Sequence, residues 1–145
     1  NGEVDILISG VGTGGTLTGT ASALKQKKPE FKAFAVEPAE SAVISGEEPG
    51  PHKIQGIGAG FIPGNLNVDL IDTVVKIDSE KAIETAREVA KLEGIPLGIS
   101  SGASVAAAKE IAMLPDSKGK QIVVMVASMA ERYLSTPLFD GLDQI

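Results

Sequence analysis

The chain has 145 residues, 43% of them hydrophobic and 22% charged, and 13 Lys+Arg against 19 Asp+Glu give a formal net charge of −6. That length suits one domain with a real core, and with aromatics at only 3% the core must be built from Val, Ile, Leu and Ala. The absence of cysteine and the single His52 exclude disulfides, thiolate or HExxH metal sites and a cysteine nucleophile, and the acidic balance argues against nucleic acid, which needs a basic face.

Val4 to Ser9 is a short β-branched run closed by glycines, the pattern of a strand. Helix formers from Thr16 to Lys28 follow and stop before Pro29. Lys32 to Glu37 reads as the next strand, so the opening predicts a strand, a glycine loop, a helix and a parallel strand. Between Pro38 and Asp69 neither helical nor strand period is visible. Pro38, Pro49, Pro51 and Pro63, with glycines from Gly46 to Gly64, predict a long loop of the kind that is functional or poorly ordered. Ile71 to Ile77 is then a strand, and Asp78-Ser79-Glu80 supplies a cap and an acidic first turn for a helix to about Lys91. Ala82, Ile83, Ala86, Val89 and Ala90 fall on one face of it, and Gly94 and Pro96 end it. An alanine-rich helix from about Ala103 to Met113 follows Ser100-Ser101-Gly102 and is stopped by Pro115. Gln121 to Val126 predicts a buried core strand, and the tail from Tyr133 to Ile145 an irregular or weakly helical segment. The longest apolar run, Ile122 to Ala127, is far short of a bilayer span, and no signal-peptide pattern opens the chain, so a soluble domain without membrane contact is expected. The alternation predicts a three-layer α/β fold, a mostly parallel sheet with helices on both faces.

The chemistry sits in Ser9-Gly10-Val11-Gly12-Thr13-Gly14-Gly15-Thr16-Leu17-Thr18-Gly19. Glycines let backbone N–H groups converge, Thr13 and Thr16 add hydroxyls, and a strand-to-helix position puts the helix dipole behind them, which suits an anion such as phosphate. The bland alternative is a tight turn with close helix packing at Gly15 and Gly19. A Walker loop is disfavoured because Gly15 is followed by Thr16 with no lysine. The dinucleotide (Rossmann) fingerprint is a closer rival: Gly10, Gly12 and Gly15 fit it, and Glu37 ends the next strand where a ribose contact is expected, at about 20 residues' offset. The long Pro/Gly segment and the extra threonine donors speak against it, and residue physics alone leaves the two readings open.

Gly12-Thr13-Gly14-Gly15-Thr16 resembles the phosphate-gripping loop of pyridoxal-phosphate enzymes of fold type II, the tryptophan-synthase-β type. Gln55 to Phe61 (QGIGAGF), Gly98 to Ala103 (GISSGA) and Glu131 to Phe139 (ERYLSTPLF) then match, in order, its cysteine synthase (O-acetylserine sulfhydrylase) branch. The resemblance implies that pyridoxal 5′-phosphate places its phosphate on Gly12, Thr13, Gly14, Gly15 and Thr16. It implies that Ser100 faces the pyridine nitrogen, where a neutral hydroxyl leaves that nitrogen largely unprotonated and favours direct β-elimination. Gln55, Gly56 and Ile57 would lie near the substrate at the mouth of the site. The implied reaction is loss of acetate from O-acetylserine and addition of sulfide to give cysteine, the protein supplying position and electrostatics.

The resemblance also implies a lysine that forms the Schiff base, in a motif that none of the 13 Lys+Arg occupies. Residues 1–145 therefore match the C-terminal half, the large cofactor domain, and no covalent catalyst is expected among them. That half alone is expected to be inactive without its N-terminal counterpart. A homodimer, docking of the serine acetyltransferase C-terminal tail, and a cytoplasmic location (or an organellar copy) are implied by the family. The alternatives are a related enzyme making cystathionine or using O-phosphoserine, a nicotinamide-dependent oxidoreductase domain, and a catalytically silent partner-binding module. Simpler roles stand beside these: Ser101 as a helix cap, His52 as a surface or satisfied polar residue, Glu37 in a polar corner, and Lys25 to Lys28 as a solvated helix end. Ala127-Ser128-Met129-Ala130 departs from the family's Pro-Ser-x-Gly turn, which puts the local geometry there in question.

Overall fold

The structure, a computed structural model, describes residues 2–141. Four parallel strands, β1 (Ile6–Gly10), β2 (Lys32–Pro38), β3 (Thr73–Ile77) and β4 (Ile122–Val124), lie in the order β3-β2-β1-β4. Helix α1 (Gly15–Lys27) joins β1 to β2, and α2 (Ser79–Glu93) and α3 (Ile99–Ala112) carry the chain from β3 back across the sheet to β4. Strand alternation assigns the two faces. Ile6 and Ile8 of β1 and Val36 of β2 join the core built with α2 and α3. Leu7, Ala33 and Ala35 point the other way, onto Leu17 and Ala21 of α1. The three-layer expectation is therefore the observed architecture. The tail beyond 141, expected to be irregular, lies outside the described residues.

This order makes a topological switch. From β1 the chain turns one way through α1, and into β4 it arrives from the other side of the sheet. Beyond the carboxyl ends of β1 and β4 the connecting loops diverge and leave a crevice, the usual ligand position in open α/β sheets.

Asp78 caps α2 as expected, its carboxylate accepting from Lys81 N–H at 2.7 Å, and Gly94 closes the helix at φ 69°. Helix α3 differs from expectation. It begins at Ile99 with Gly98 as N-cap, so Ser100 and Ser101 lie inside its first turn and Ser101 is not a cap. The reason is a pairing between segments 96–98 and 128–130: Gly98 N–H donates to Ser128 O at 2.9 Å and Ala130 N–H to Pro96 O at 2.8 Å. The opposing loop meets the helix start, Ser128 Oγ accepting from Ser101 N–H at 3.2 Å, while the N-cap glycine has no side chain to do so. No non-glycine described residue has positive φ, so the alanine at 130 is unstrained. Strand β4 also departs from the core role read for residues 122–126: among the described residues it lies at the end of the sheet order, with Val123 in the strand 40% and Val126 beyond it 44% exposed.

At the opposite end of the sheet, acids and lysines tie the loops. Lys25 and Lys32 bond Asp72 at 2.6 and 3.2 Å, and Lys28 bonds Asp5 at 2.9 Å. Lys25 and Lys28 are thus partnered rather than simply solvated. Burial pushes the Asp72 carboxyl up, but hydrogen bonds from Lys25, Ala33 N–H and Lys32 outweigh it and hold it below its ordinary value. Asp5 is held low by Lys28 and by Gln121 N–H.

Gly102 sits where α3 crosses α2, and an added Cβ there would meet the Ala82 carbonyl oxygen and lie 2.8 Å from Ala86 Cβ. Gly102→Ala should cost about 1–3 kcal/mol in urea unfolding, whereas Gly19→Ala, into open space on a helix, should gain about 1 kcal/mol. A depressed carboxylate stabilises the fold above its unfolded pKa, and that contribution is lost as pH falls through the lower folded value. Stability should therefore decline on acidification from the ordinary carboxylate range downward, and Asp72→Asn should flatten that decline.

Candidate active site

The glycine loop stands at the carboxyl end of β1. Gly14 is the N-cap of α1 at φ 82°, a conformation that favours glycine, with no side-chain cap and no acidic residue in the first turn. The first amides of α1 have no i−4 partner within the helix, and Gly15 N–H reaches only Thr13 Oγ1, at 3.4 Å. Thr13 and Thr16 are exposed beside them. The loop therefore presents backbone and hydroxyl donors at the positive end of a helix, which is the requirement for a phosphate.

Glycine is needed here for close approach between segments, and the positions divide. An added Cβ on Gly12 would meet the Gly56 carbonyl oxygen, on Gly14 it would lie 2.7 Å from Leu66 Cβ, and on Gly10 2.9 Å from Ile57 Cγ2. At Gly15 the nearest atom is Thr13 Oγ1 at 3.6 Å, and at Gly19 nothing lies within 4 Å. The helix-packing alternative for those last two positions is therefore overturned. What presses on the loop is the segment around Gly56, whose neighbour Gly58 donates its N–H to Val11 O at 3.1 Å.

The long loop between β2 and β3 is packed. Ile54, Ile57 and Leu66 are buried in the two cores. Glu37, 1% exposed, accepts from Ile44 N–H at 2.8 Å, Ser45 N–H at 3.0 Å and Ser45 Oγ at 2.6 Å. Glu40 accepts from Ser79 N–H at 2.8 Å; burial opposes its charge, but the bonds from Ser79 prevail and hold the carboxyl below its usual value. His52 Nδ1 lies 3.2 Å from the Ile54 N–H and must accept from it, so Nε2 carries the proton donated to Gly58 O at 2.8 Å. His52 is thus a satisfied polar clamp on the Gly56–Gly60 turn. The dinucleotide reading fails on Glu37: a carboxylate buried under three donors has no face for a ribose.

A cleft of about 310 Å³ fills the switch point. Gly12, Thr13, Gly14 and Thr16 line one part of it, Gly56 and Ile57 one wall, and Ser100 another part. Ser9 and Gly10 at the end of β1 and Ala127 also line it, and Ser104, Met125, Ser128 and Tyr133, also in the lining, carry no site role in the sequence reading. Tyr133 had a signal in the ERY motif; Ser128 lay inside the unexplained departure. Gly15 and Gln55 are not in the lining: Gly15 offers only its backbone, and Gln55 is exposed next to Gly56. An adjoining outer cleft of about 530 Å³ shares Gly12, Thr13, Gly56 and Ile57 and reaches Phe61 and Asn65.

Comparison with known proteins identifies the family. The family model described as pyridoxal-phosphate dependent enzyme matches residues 1–128. The chain belongs to that family. It is 54% identical over 150 residues to a cysteine synthase of Haemophilus influenzae, covering 99% of this chain and 48% of that protein. A cysteine synthase A of Salmonella typhi is 56% identical over 98% of this chain and 46% of that protein. The crystal structure of O-acetyl serine sulfhydrylase isoform 3 from Entamoeba histolytica superposes with a TM-score of 0.96 at 46% identity, over 100% of this chain and 43% of that one. The chain spans about half the length of the curated relatives it matches.

Removing Glu37 tests its reassignment from ligand to scaffold. Glu37→Ala leaves three donors unpaired and should lower unfolding free energy by about 1–3 kcal/mol. Titration calorimetry with NAD should give no heat of binding before or after the substitution.

Proposed function

We propose that this chain forms the cofactor-holding part of a cysteine synthase, acting on O-acetylserine and sulfide to give cysteine and acetate. The observation that carries the reading is one cleft at the β1/β4 switch point in which an uncapped helix start and the Ser100 hydroxyl both take part. Names carried by relatives at 54% and 56% identity support the substrate class.

The residues present fit pyridoxal 5′-phosphate. The backbone of Gly12–Gly15 and the hydroxyls of Thr13 and Thr16 would hold its phosphate, and Ser100 would address its ring nitrogen. When bound, the cofactor supplies an electron-withdrawing ring that lets acetate leave the β-carbon of the amino acid. The chain's own part is placement. Ile57, Met125 and Tyr133 put apolar surface around the ring position and restrict water, which strengthens the polar contacts inside. The Gly56–Ile57 backbone, fixed through Gly58 and His52, walls the boundary with the outer cleft, where substrate would enter. The lysine that anchors the cofactor is supplied from outside these 145 residues. A homodimer and a docked C-terminal tail of serine acetyltransferase belong to the same proposal, and Phe61, which lines the outer cleft and is 62% exposed, supports a peptide contact there.

The phosphate site is tested with the cofactor and its dephosphorylated form. Thr13→Val and Thr16→Val should each weaken pyridoxal 5′-phosphate binding about tenfold to a hundredfold, the worth of one hydrogen bond to a charged group, and leave pyridoxal binding unchanged. Equal affinity of the unaltered protein for both compounds would overturn the placement. These threonines are a cleaner test than Gly14, where any side chain strains the backbone and strikes Leu66.

A further inference from the structure

We infer that Ser128 is a positioning residue for Ser100, setting which way the Ser100 hydroxyl points and so whether the cleft meets a hydrogen-bond donor or an acceptor there. The inference rests on the reading above that Ser100 addresses the ring nitrogen.

The protons of this cluster can be counted. Ser101 Oγ donates to Ser128 O at 2.7 Å and accepts from Ser128 N–H at 2.8 Å. A carbonyl oxygen only accepts, so the one hydroxyl proton of Ser101 is committed. Ser128 Oγ accepts from Ser101 N–H at 3.2 Å, and lies 3.0 Å from Ser101 Oγ and 2.8 Å from Ser100 Oγ. With the Ser101 proton already used, the 3.0 Å contact can only be donated by Ser128. The 2.8 Å contact to Ser100 runs either way.

Two arrangements satisfy this count. In one, Ser128 donates to Ser101 and receives the Ser100 proton, so Ser100 turns a lone pair toward the cleft. In the other, Ser128 donates to Ser100, whose own proton is freed to point at an acceptor in the cleft. An unprotonated ring nitrogen is such an acceptor and selects the second. The Ser128 hydroxyl then polarises the Ser100 hydroxyl, and consecutive hydrogen bonds of one sense strengthen each other. Crowding holds Ser128 in place: at Gly98 an added Cβ would lie 2.7 Å from Ser128 Cβ and 2.6 Å from Tyr133 Cε2. Both serines line the cleft, whereas Ser101, 1% exposed, ties the loop behind them.

The test compares Ser100→Ala, Ser101→Ala, Ser128→Ala and the Ser100→Ala/Ser128→Ala double variant in the full-length, cofactor-loaded enzyme. The readouts are the absorption and fluorescence spectra of the bound cofactor and its dissociation constant. Ser128→Ala should move the spectrum in the same direction as Ser100→Ala and weaken cofactor binding about threefold to tenfold. The double variant should add nothing to Ser100→Ala, and Ser101→Ala should lower the melting temperature while leaving the spectrum in place. Should Ser128→Ala fail to fold, Ser128→Cys keeps the size with a poor donor and is read the same way. A shifted Ser100→Ala spectrum beside an unchanged Ser128 variant overturns the inference alone, as does a Ser101→Ala shift equal to that of Ser128→Ala. An unchanged Ser100→Ala spectrum overturns the ring-nitrogen reading itself, and the inference falls with it.

Discussion

Backbone lies against backbone where the segment Gly10–Gly14 meets the turn around Gly56. Gly12 faces the Gly56 carbonyl with no room for a methyl group between them, and Gly58 N–H donates to Val11 O. The start of α1, the inner cleft and the wall between the two clefts all take their positions from this contact. It places a loop of more than twenty residues against a strand end without the helix that usually serves as a crossover. A protein interior is dense enough that a single added carbon at such a junction displaces one of the segments. The cleft is therefore a by-product of two loops that cannot separate independently.

Polar groups maintain that junction from outside. Glu37 and Glu40 use carboxylate oxygens to gather amides from residues 44, 45 and 79, and His52 spans from Ile54 N–H to Gly58 O. A segment with little regular structure must satisfy its backbone by such means. The apolar anchors Ile54, Ile57 and Leu66 then fix it into both cores. Rigid support beneath a loop that lines a site keeps its backbone groups within the tolerance that ligand placement demands.

Much of this was legible in the residues. The β-branched run of β1, the parallel pairing of β1 with β2, the Asp78 cap and the Gly94 stop follow local rules and hold. The start of α3 was misread because its partner, Ser128, lies 27 residues along the chain from Ser101; local sequence shows two serines before alanines and suggests a cap. The β4 run looked like core because apolar residues say nothing about whether a strand sits inside a sheet or at its edge. Glu37 looked like a ribose ligand by spacing, yet its carboxylate turns to amides of the loop that follows. The glycine loop's place between a strand and a helix start was readable in the residues, while the reason for several of its glycines, the approach of residues 56 and 66, could only be seen in three dimensions.

The outer margin of β4 carries a practical consequence. Its hydrogen-bonding side away from β1 pairs with no strand among the described residues, and Val123 and Val126 are solvent-facing. Natural sheets guard such margins with charge or proline, and residues 122–126 hold neither. Handled as an isolated polypeptide at high concentration, these 145 residues would template strand addition from neighbouring molecules, and dilute, cold storage would slow the resulting precipitation.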